Sequence, residues 1–158
     1  PTYALTTEIL QAASVQQAVD LCTRAKNAGC FIFLIADAQG DCAVIEGIPG
    51  KTYVSYGESL YYRSNLYMSE KIKLASKQRV DADDDVVLRE VAMKNHAERS
   101  KGEIMEETLK SILRKPPVLQ IDDMDTMTID SILLNATNRT MQIARGCNKT
   151  HPWQMFSL

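Results

Sequence analysis

The sequence lacks the features that mark membrane-spanning and nucleic-acid-binding proteins. No apolar run approaches the roughly 20 residues needed to cross a bilayer, and the N-terminus does not have the basic-then-apolar order of a signal peptide. Lysine and arginine are scattered along a chain of formal charge −2, so no basic patch predicts DNA or RNA binding. We therefore expect no nucleic-acid and no membrane partner. The compartment stays open, although three Asn-x-Thr sequons slightly favour a secretory one in a eukaryote: Asn135, Asn138 and Asn148.

Cysteine is also scarce, with four residues and no Cys-x-x-Cys pair. None of the four has a histidine at metal-ligand spacing, so the sequence predicts neither a redox motif nor a metal site. We interpret Cys22, Cys30, Cys42 and Cys147 as buried thiols that pack as small hydrophobic side chains.

The acidic run 81–85 lacks two residues that a calcium-binding EF-hand needs. Alternate carboxylates open such a loop, but its sixth position is Val86 where glycine is required, and its twelfth is Ala92 where glutamate is required. The acids are predicted instead to stabilise the start of a helix near Val86, each by a few tenths to about 1 kcal/mol.

Two short apolar runs stand out in the first half of the chain, at 31–36 and 42–46. The residues between them include Asp37 and Gly40, which are typical of a hairpin turn in which glycine takes a positive φ. Neither run alternates apolar with polar residues, so we expect both faces of the hairpin to be covered. This predicts a layered sandwich with the hairpin inside it.

The remaining patterns separate helices from strands. This order favours an α+β fold in a single domain over 1–158, and not the alternation of a parallel α/β sheet. Helical spacing predicts helices at 6–13, at 15–25 with Gly29 as the stop, at 69–79, from 86 and at 103–114. Strand-like patterns cover 59–67, 126–134, 140–145 and 153–158, with a turn at 135–139, and 47–57 is predicted to be a loop or irregular strand.

A polar pair, Ser64-Asn65, ends the predicted aromatic-rich strand just before a helix. Catalytic groups often lie at such a strand end when the rest of the sheet is buried from solvent. Asn65 can equally serve to turn the chain ahead of the helix. The residues alone leave both interpretations open.

The sequence contains four characteristic segments, in this order: 5–19, 33–46, Arg63-Ser64-Asn65 and 131–146. Together they resemble the acyl-coenzyme A:isopenicillin N acyltransferase-like proteins, which belong with the choloylglycine hydrolases among the N-terminal-nucleophile hydrolases. The resemblance covers nearly all of the chain, and its strength lies in the order of the segments. It implies a four-layer αββα sandwich, which is the layered arrangement that the apolar hairpin predicts independently.

The resemblance also implies a chemistry, in which an N-terminal cysteine freed by autocatalytic cleavage attacks a small-molecule amide or thioester. Asn65 matches the asparagine of the family's Thr-Asn step, so its amide is the expected oxyanion donor, with Ser64 beside it. Arg79, in Ser-Lys-Gln-Arg, is the expected arginine near the nucleophile. No cofactor and no metal are expected. Three tyrosines are expected to line an acyl pocket: Tyr61, Tyr62 and Tyr67.

The expected nucleophile lies upstream of the matched segments. The chain begins at Pro1, and none of its cysteines is terminal. We therefore expect this chain to be the C-terminal part of such an enzyme, inactive alone, with an N-terminal segment or subunit carrying the cysteine as its partner. Whether the acyl acceptor is water or an amine, and hence hydrolase or transferase, stays open.

Two other functions are compatible with the sequence. Pro1 is compatible with a tautomerase, in which a terminal proline is the general base, although the downstream pattern does not resemble the repeated βαβ units of that fold. The second is a non-catalytic scaffold or binding protein, in which Asn65 and Arg79 have structural roles.

Overall fold

The computed structural model describes residues 2–26, 29–57, 61–100, 104–121, 127–146 and 149–157. The chain divides into two compact units, Pro1–Val80 and Asp81–Leu158. Each unit has a three-stranded antiparallel sheet together with helices, so the α+β class is confirmed, while the single domain stays a prediction. No helix in the described ranges is long and apolar enough to cross a bilayer. Several predicted features lie outside these ranges: Pro1, residues 59 and 60, Cys147, Asn148, and the ends of elements at 103, 126 and 158.

The first unit consists of a helical pair, a three-stranded meander and a further helix. The strands pair in the order β1-β2-β3. Its elements are α1 (Thr2–Leu10), α2 (Val15–Arg24), β1 (Phe31–Ala36), β2 (Cys42–Ile48), β3 (Lys51–Tyr56) and α3 (Glu70–Ser76).

Helix α2 begins where the sequence predicts. The Ser14 hydroxyl oxygen accepts a hydrogen bond from the Gln17 amide at 3.2 Å, and the Gln17 side chain accepts one from the Ala13 amide at 2.7 Å. The first bond satisfies a backbone donor that the first helical turn leaves unpaired, and the second bonds the residue before the N-cap to the helix. The predicted stop at Gly29 is wrong, because the helix already ends at Arg24, where the next residue turns to an extended conformation.

The predicted hairpin is confirmed. Phe31 pairs with Gly47 at one end of β1, and Ala36 pairs with Cys42 at the other. Gly40 has a φ of 91° in the connecting turn, a conformation that favours glycine. The hairpin then continues through a second tight turn into β3. Of the loop or irregular strand predicted at 47–57, the strand is confirmed over Lys51–Tyr56, and it is a regular one.

Asp37 organises the hairpin turn, as predicted for a turn residue. One carboxylate oxygen accepts hydrogen bonds from the amides of Gln39 and Asp41, at 3.0 and 3.2 Å. The other oxygen accepts one from the amide of Val15, at 3.0 Å, and so ties the turn to the first residue of α2. The Val15 amide, together with the turn amides, holds the pKa of Asp37 below its usual value.

The two strands of the hairpin are not equally covered. Every residue from Ala43 to Ile48 of β2 is buried, because β2 is the central strand of the sheet. Leu34 of β1 is 47% exposed, and among the described strands β1 pairs with β2 alone. Coverage on both faces is therefore confirmed for β2 and wrong for β1, which is an edge strand in this unit.

Apolar side chains pack on both faces of the first sheet. On one face, the core between α1, α2 and the sheet includes Phe31 and Ile45. On the other face, Ile48 packs with Tyr67 and with Ile72 of α3. The sheet thus lies between two helical layers at this position.

Gly47 lies directly under the ring of Phe31. A Cβ atom at Gly47 would be 2.2 Å from the ring's Cζ, and the ring is held in place by stacking on Phe33 with a centroid separation of 4.8 Å. We expect Gly47→Ala to lower the free energy of unfolding by about 1–3 kcal/mol, since the core must shift to fit the methyl group. Urea denaturation measures this, and adding Phe31→Leu should recover part of the loss. A Gly47→Ala variant as stable as the wild type would contradict the close approach.

The second unit contains two helices followed by an antiparallel meander. The predicted hairpin around 135–139 and the last strand are confirmed. Strand order is β4-β5-β6. The elements are α4 (Asp85–Arg99), α5 (Glu106–Leu113), β4 (Asp130–Asn135), β5 (Thr140–Arg145) and β6 (Gln154–Ser157).

One face of the second sheet is apolar and open. Leu134 pairs with Met141, which in turn pairs with Phe156, so these side chains share a face of the antiparallel sheet. Leu134 is 59% exposed and Phe156 is 43% exposed. The opposite face includes the buried Gln142. Within this unit, therefore, the sheet has one covered face and one uncovered apolar face.

Candidate functional site

The segment 61–69 carries most of the predicted site residues and is not a strand, so that prediction is wrong. Its backbone donors bond to side chains. The Tyr67 amide donates to the side-chain oxygen of Gln78 at 3.2 Å, and the amides of Met68 and Ser69 donate to the carboxylate of Glu46 at 2.7 and 2.8 Å. Because these side chains accept the bonds that a neighbouring strand would accept, the segment runs beside the sheet without joining it.

Glu46 is the central residue of this arrangement. The predicted run 42–46 ends at this residue, but the strand continues beyond it, so Glu46 lies inside β2 and is 2% exposed. Besides the amides of Met68 and Ser69, its carboxylate faces Arg63, whose Nε is 3.9 Å from Oε1. Glu46 therefore holds the polypeptide on both sides of Ser64-Asn65 and acts as a positioning residue.

A cavity of about 480 Å³ lies next to this segment. The start of β1 forms one side of it, including Cys30, while Ser76 and Gln78 from the end of α3 form another. Ser64 and Asn65 face the same cavity. Ser64 is buried whereas Asn65 is exposed, so the Asn65 amide is accessible to a small molecule in the cavity.

Gln78 fixes the backbone around Asn65. Its side-chain oxygen accepts from the Tyr67 amide, and its side-chain nitrogen donates to the carbonyl oxygen of Asn65 at 2.8 Å. This bridge involves the main-chain carbonyl of Asn65, and the side-chain NH₂ of Asn65 takes no part in it. The neighbouring Arg79 was predicted from the sequence and Gln78 was not, because a bridge between a side chain and a distant main chain leaves no local pattern.

Tyr67 is the one predicted pocket tyrosine that lines this cavity in the described part of the chain. Its hydroxyl donates to the carbonyl oxygen of Gly47 at 3.0 Å. Burial raises the pKa of Tyr67, and the adjacent Cys30 thiol adds to the rise. Tyr67 is therefore a neutral phenol whose hydroxyl is already bonded to β2, so its ring and not its hydroxyl is available to a ligand.

The other predicted residues lie away from the cavity wall. Tyr61 and Tyr62 are half-buried, and the Tyr61 ring centroid is 5.9 Å from the guanidinium carbon of Arg63. Arg79 is exposed beyond the end of α3. None of these three is among the described residues that line the cavity. The structure thus brings together Ser64, Asn65 and Tyr67.

The cysteines differ in their surroundings. Cys22 is buried as predicted, and burial raises the pKa of its thiol to about 11, which makes it a poor nucleophile. Cys42 is half-buried. Burial was wrongly predicted for Cys30, which is exposed at the cavity. Within the described ranges, no three His, Cys, Asp or Glu side chains form a group that could hold a metal ion.

Comparison with known proteins gives one family. Its model, described as acyl-coenzyme A:6-aminopenicillanic acid acyl-transferase, matches residues 1–150, which includes the whole cavity wall. No curated protein matches the chain.

Proposed function

Because the chain belongs to the acyl-coenzyme A:6-aminopenicillanic acid acyl-transferase family, we propose that it supplies the oxyanion donor of an N-terminal-nucleophile amidohydrolase or acyltransferase. The resemblance to the acyl-coenzyme A:isopenicillin N acyltransferase-like proteins is confirmed by the family match. The donor is the side-chain amide of Asn65. Two observations support this role. Asn65 is exposed at the cavity, and Gln78 fixes the main chain of Asn65 by a hydrogen bond to its carbonyl oxygen.

The reaction begins with a cysteine nucleophile on a segment outside this sequence. Its thiolate adds to the carbonyl carbon of an amide or thioester, and its own α-amino group takes and returns the proton. The carbonyl oxygen gains negative charge in the tetrahedral intermediate. The Asn65 NH₂ donates a hydrogen bond to that oxygen, which stabilises the transition state more than the ground state.

The intermediate then collapses to an acyl-enzyme. The carbon–nitrogen or carbon–sulfur bond to the leaving group breaks, and the α-amino group protonates that leaving group. Attack by water on the acyl-enzyme gives hydrolysis, and attack by an amine gives acyl transfer. Asn65 serves the same oxygen in both halves of the reaction, because each passes through a tetrahedral intermediate.

Other residues have supporting roles in this proposal. Ser64 and Tyr67 shape the cavity, and burial fixes both in place. Arg79 is exposed, and we propose that it meets the nucleophile-bearing segment and favours the thiolate there. Tyr61 and Tyr62 lie outside the wall of the cavity, and we propose that they extend the acyl pocket on the side towards Arg63.

We also propose that the α+β fold of the complete enzyme is a four-layer αββα sandwich. In the first unit, helices α1 and α2 cover one face of the sheet. Helix α3 covers the opposite face only around Ile48, and Leu34 and Tyr53 leave the rest of that face apolar and exposed. In the second unit, the face that carries Leu134 and Phe156 is apolar and open. A sheet with one helix-covered face and one apolar face is the building block of such a sandwich.

The test is to identify the chain that copurifies with this one when the full gene is expressed. We expect a partner chain that begins with cysteine, and we expect alkylation of that cysteine by iodoacetamide to abolish amide hydrolysis. Intact mass and N-terminal sequencing of the purified material identify the partner. Turnover by material in which no chain begins with cysteine would overturn the proposal.

A further inference from the structure

A second cavity, of about 430 Å³, lies in the first unit where α2 ends and the β2–β3 turn begins. Three cationic side chains line it, those of Arg24, Lys26 and Lys51. No carboxylate is found among the described residues of its wall. The cavity therefore concentrates positive charge in a chain whose formal charge is −2.

The three cations have no carboxylate partner within the described part of the chain, where none of them forms an ion pair. The Arg24 Nε donates to the carbonyl oxygen of Asp20 at 3.1 Å, which fixes the guanidinium and leaves its terminal nitrogens as donors. The end of α2 contributes about half an elementary negative charge. Three cations exceed what is needed to balance it, so the cavity is suited to an anionic ligand.

An acidic run of matching charge begins the second unit, at residues 81–85. Four of its five residues are aspartates, and all five are exposed. Asp85 is paired with Arg89, with 2.8 Å between Oδ2 and Nε. The other three carboxylates form no ion pair with a described cation, and they are those of Asp81, Asp83 and Asp84. The run therefore offers three carboxylates to a cationic partner.

Hydrogen bonds within the acidic run hold it in one shape. The Asp81 amide donates to Oδ2 of Asp84 at 2.8 Å, and the Asp84 amide donates to the carbonyl oxygen of Asp81 at 3.2 Å. Together these bonds close a turn ahead of α4. Because the turn is already formed, little conformational freedom is lost when the run binds.

We propose that the cationic cavity of one copy of the chain binds the acidic run of a second copy. Three cations then meet three carboxylates, and guanidinium and ammonium groups are strong donors to carboxylate oxygens. The two surfaces differ, so the contact joins copies head to tail and continues into chains or a closed ring. The contact is small and polar, so we expect weak association that salt reverses. This inference does not depend on the role of Asn65.

Sedimentation velocity of the protein purified from the full gene tests the contact. At about 0.01 M salt, where charges interact over about 30 Å, the mean mass should rise with protein concentration. At about 1 M salt, where this range is about 3 Å, the mass should stay that of a single copy. We expect Lys26→Glu/Lys51→Glu to weaken association at low salt by at least about tenfold. A single-copy mass for the wild type at every concentration in low salt would overturn the proposal.

Reversing the charge of the acidic run should have the same effect. We expect Asp81→Lys/Asp83→Lys to remain a single copy. An equal mixture of this variant with the cavity variant should associate, because the intact run of one meets the intact cavity of the other. The control is Lys71→Glu/Lys115→Glu, which makes the same change of charge as the cavity variant at exposed positions and should associate like the wild type. An equal loss in the control would overturn the proposal, because it would reflect net charge alone.

Carbodiimide crosslinking shows which residues meet, because the reagent joins a lysine amine directly to a carboxylate. We expect Lys26 or Lys51 to be linked to Asp81 or Asp83. Mixing isotope-labelled with unlabelled copies before crosslinking distinguishes links between copies from links within one copy. Mass spectrometry of the digested product should find links at these residues that join a labelled peptide to an unlabelled one. Links confined to single copies, or links between copies that involve none of these residues, would refute the contact.

Discussion

Replacing Asn65 with alanine in the complete enzyme should lower kcat for amide hydrolysis by about 10²–10³-fold. The substitution removes the donor that meets the developing negative charge on the substrate oxygen. Because that charge is small in the bound substrate, KM should change little. Folding should be intact, since the side chain is exposed and the fixed group is the carbonyl oxygen, which alanine retains.

Two further variants separate the donor role from a positional one. Asn65→Asp keeps the size of the side chain but replaces the donor with a carboxylate, so we expect kcat to fall at least as far as in the alanine variant. Gln78→Ala releases the main chain of Asn65 and should lower kcat by a smaller factor. Equal turnover by Asn65→Ala and the wild type, at equal thermal stability, would exclude Asn65 as an oxyanion donor.

Local pattern was sufficient to predict the first hairpin. The turn residues at Asp37 and Gly40 and the flanking apolar runs are contiguous, and every contact that defines the hairpin lies within a few residues of it. The same holds for the start of α2, where Ser14 and Gln17 bond within one helical turn. Such elements are determined by neighbours in sequence.

The segment 61–69 was mispredicted because its structure depends on distant residues. Its aromatic composition favours a strand, but Glu46 of β2, which is 22 and 23 residues earlier in the chain, accepts hydrogen bonds from the amides of Met68 and Ser69. A buried glutamate within an apolar strand is a rare choice. That rarity is the signal in the sequence that marks Glu46, although the predicted run 42–46 places it at the end of a strand.

The residues at the candidate site were predictable from the resemblance to the family. The residues that hold them in place were not, because they act through long-range contacts. Ser64, Asn65 and Tyr67 were named in advance, and the structure places them at one cavity. Glu46 and Gln78, which hold that group in place, were missed because both act through long-range bonds to the main chain. Arg63 was quoted in the resemblance without a role, and its role depends on the burial of Glu46.

Replacing Glu46 with alanine should produce the largest loss of stability in the first unit, about 3–5 kcal/mol of unfolding free energy. The change leaves the Met68 and Ser69 amides without their acceptor. It also leaves the Arg63 guanidinium, which is 14% exposed, without its carboxylate. Glu46→Gln should cost less, about 2 kcal/mol, since one side-chain oxygen still accepts one of the two amides.

Hydrogen exchange at the amides of Met68 and Ser69 locates the effect, and urea denaturation followed by circular dichroism gives its size. Glu70→Gln is the matched control, because Glu70 is 79% exposed and its ion pair with Lys73 lies at the surface; it should change stability by less than about 1 kcal/mol.

In the complete enzyme, Glu46→Gln should also lower kcat, because it loosens the segment that carries Asn65. Unchanged exchange at both amides in Glu46→Ala would show that water replaces the carboxylate and that Glu46 does not hold the segment.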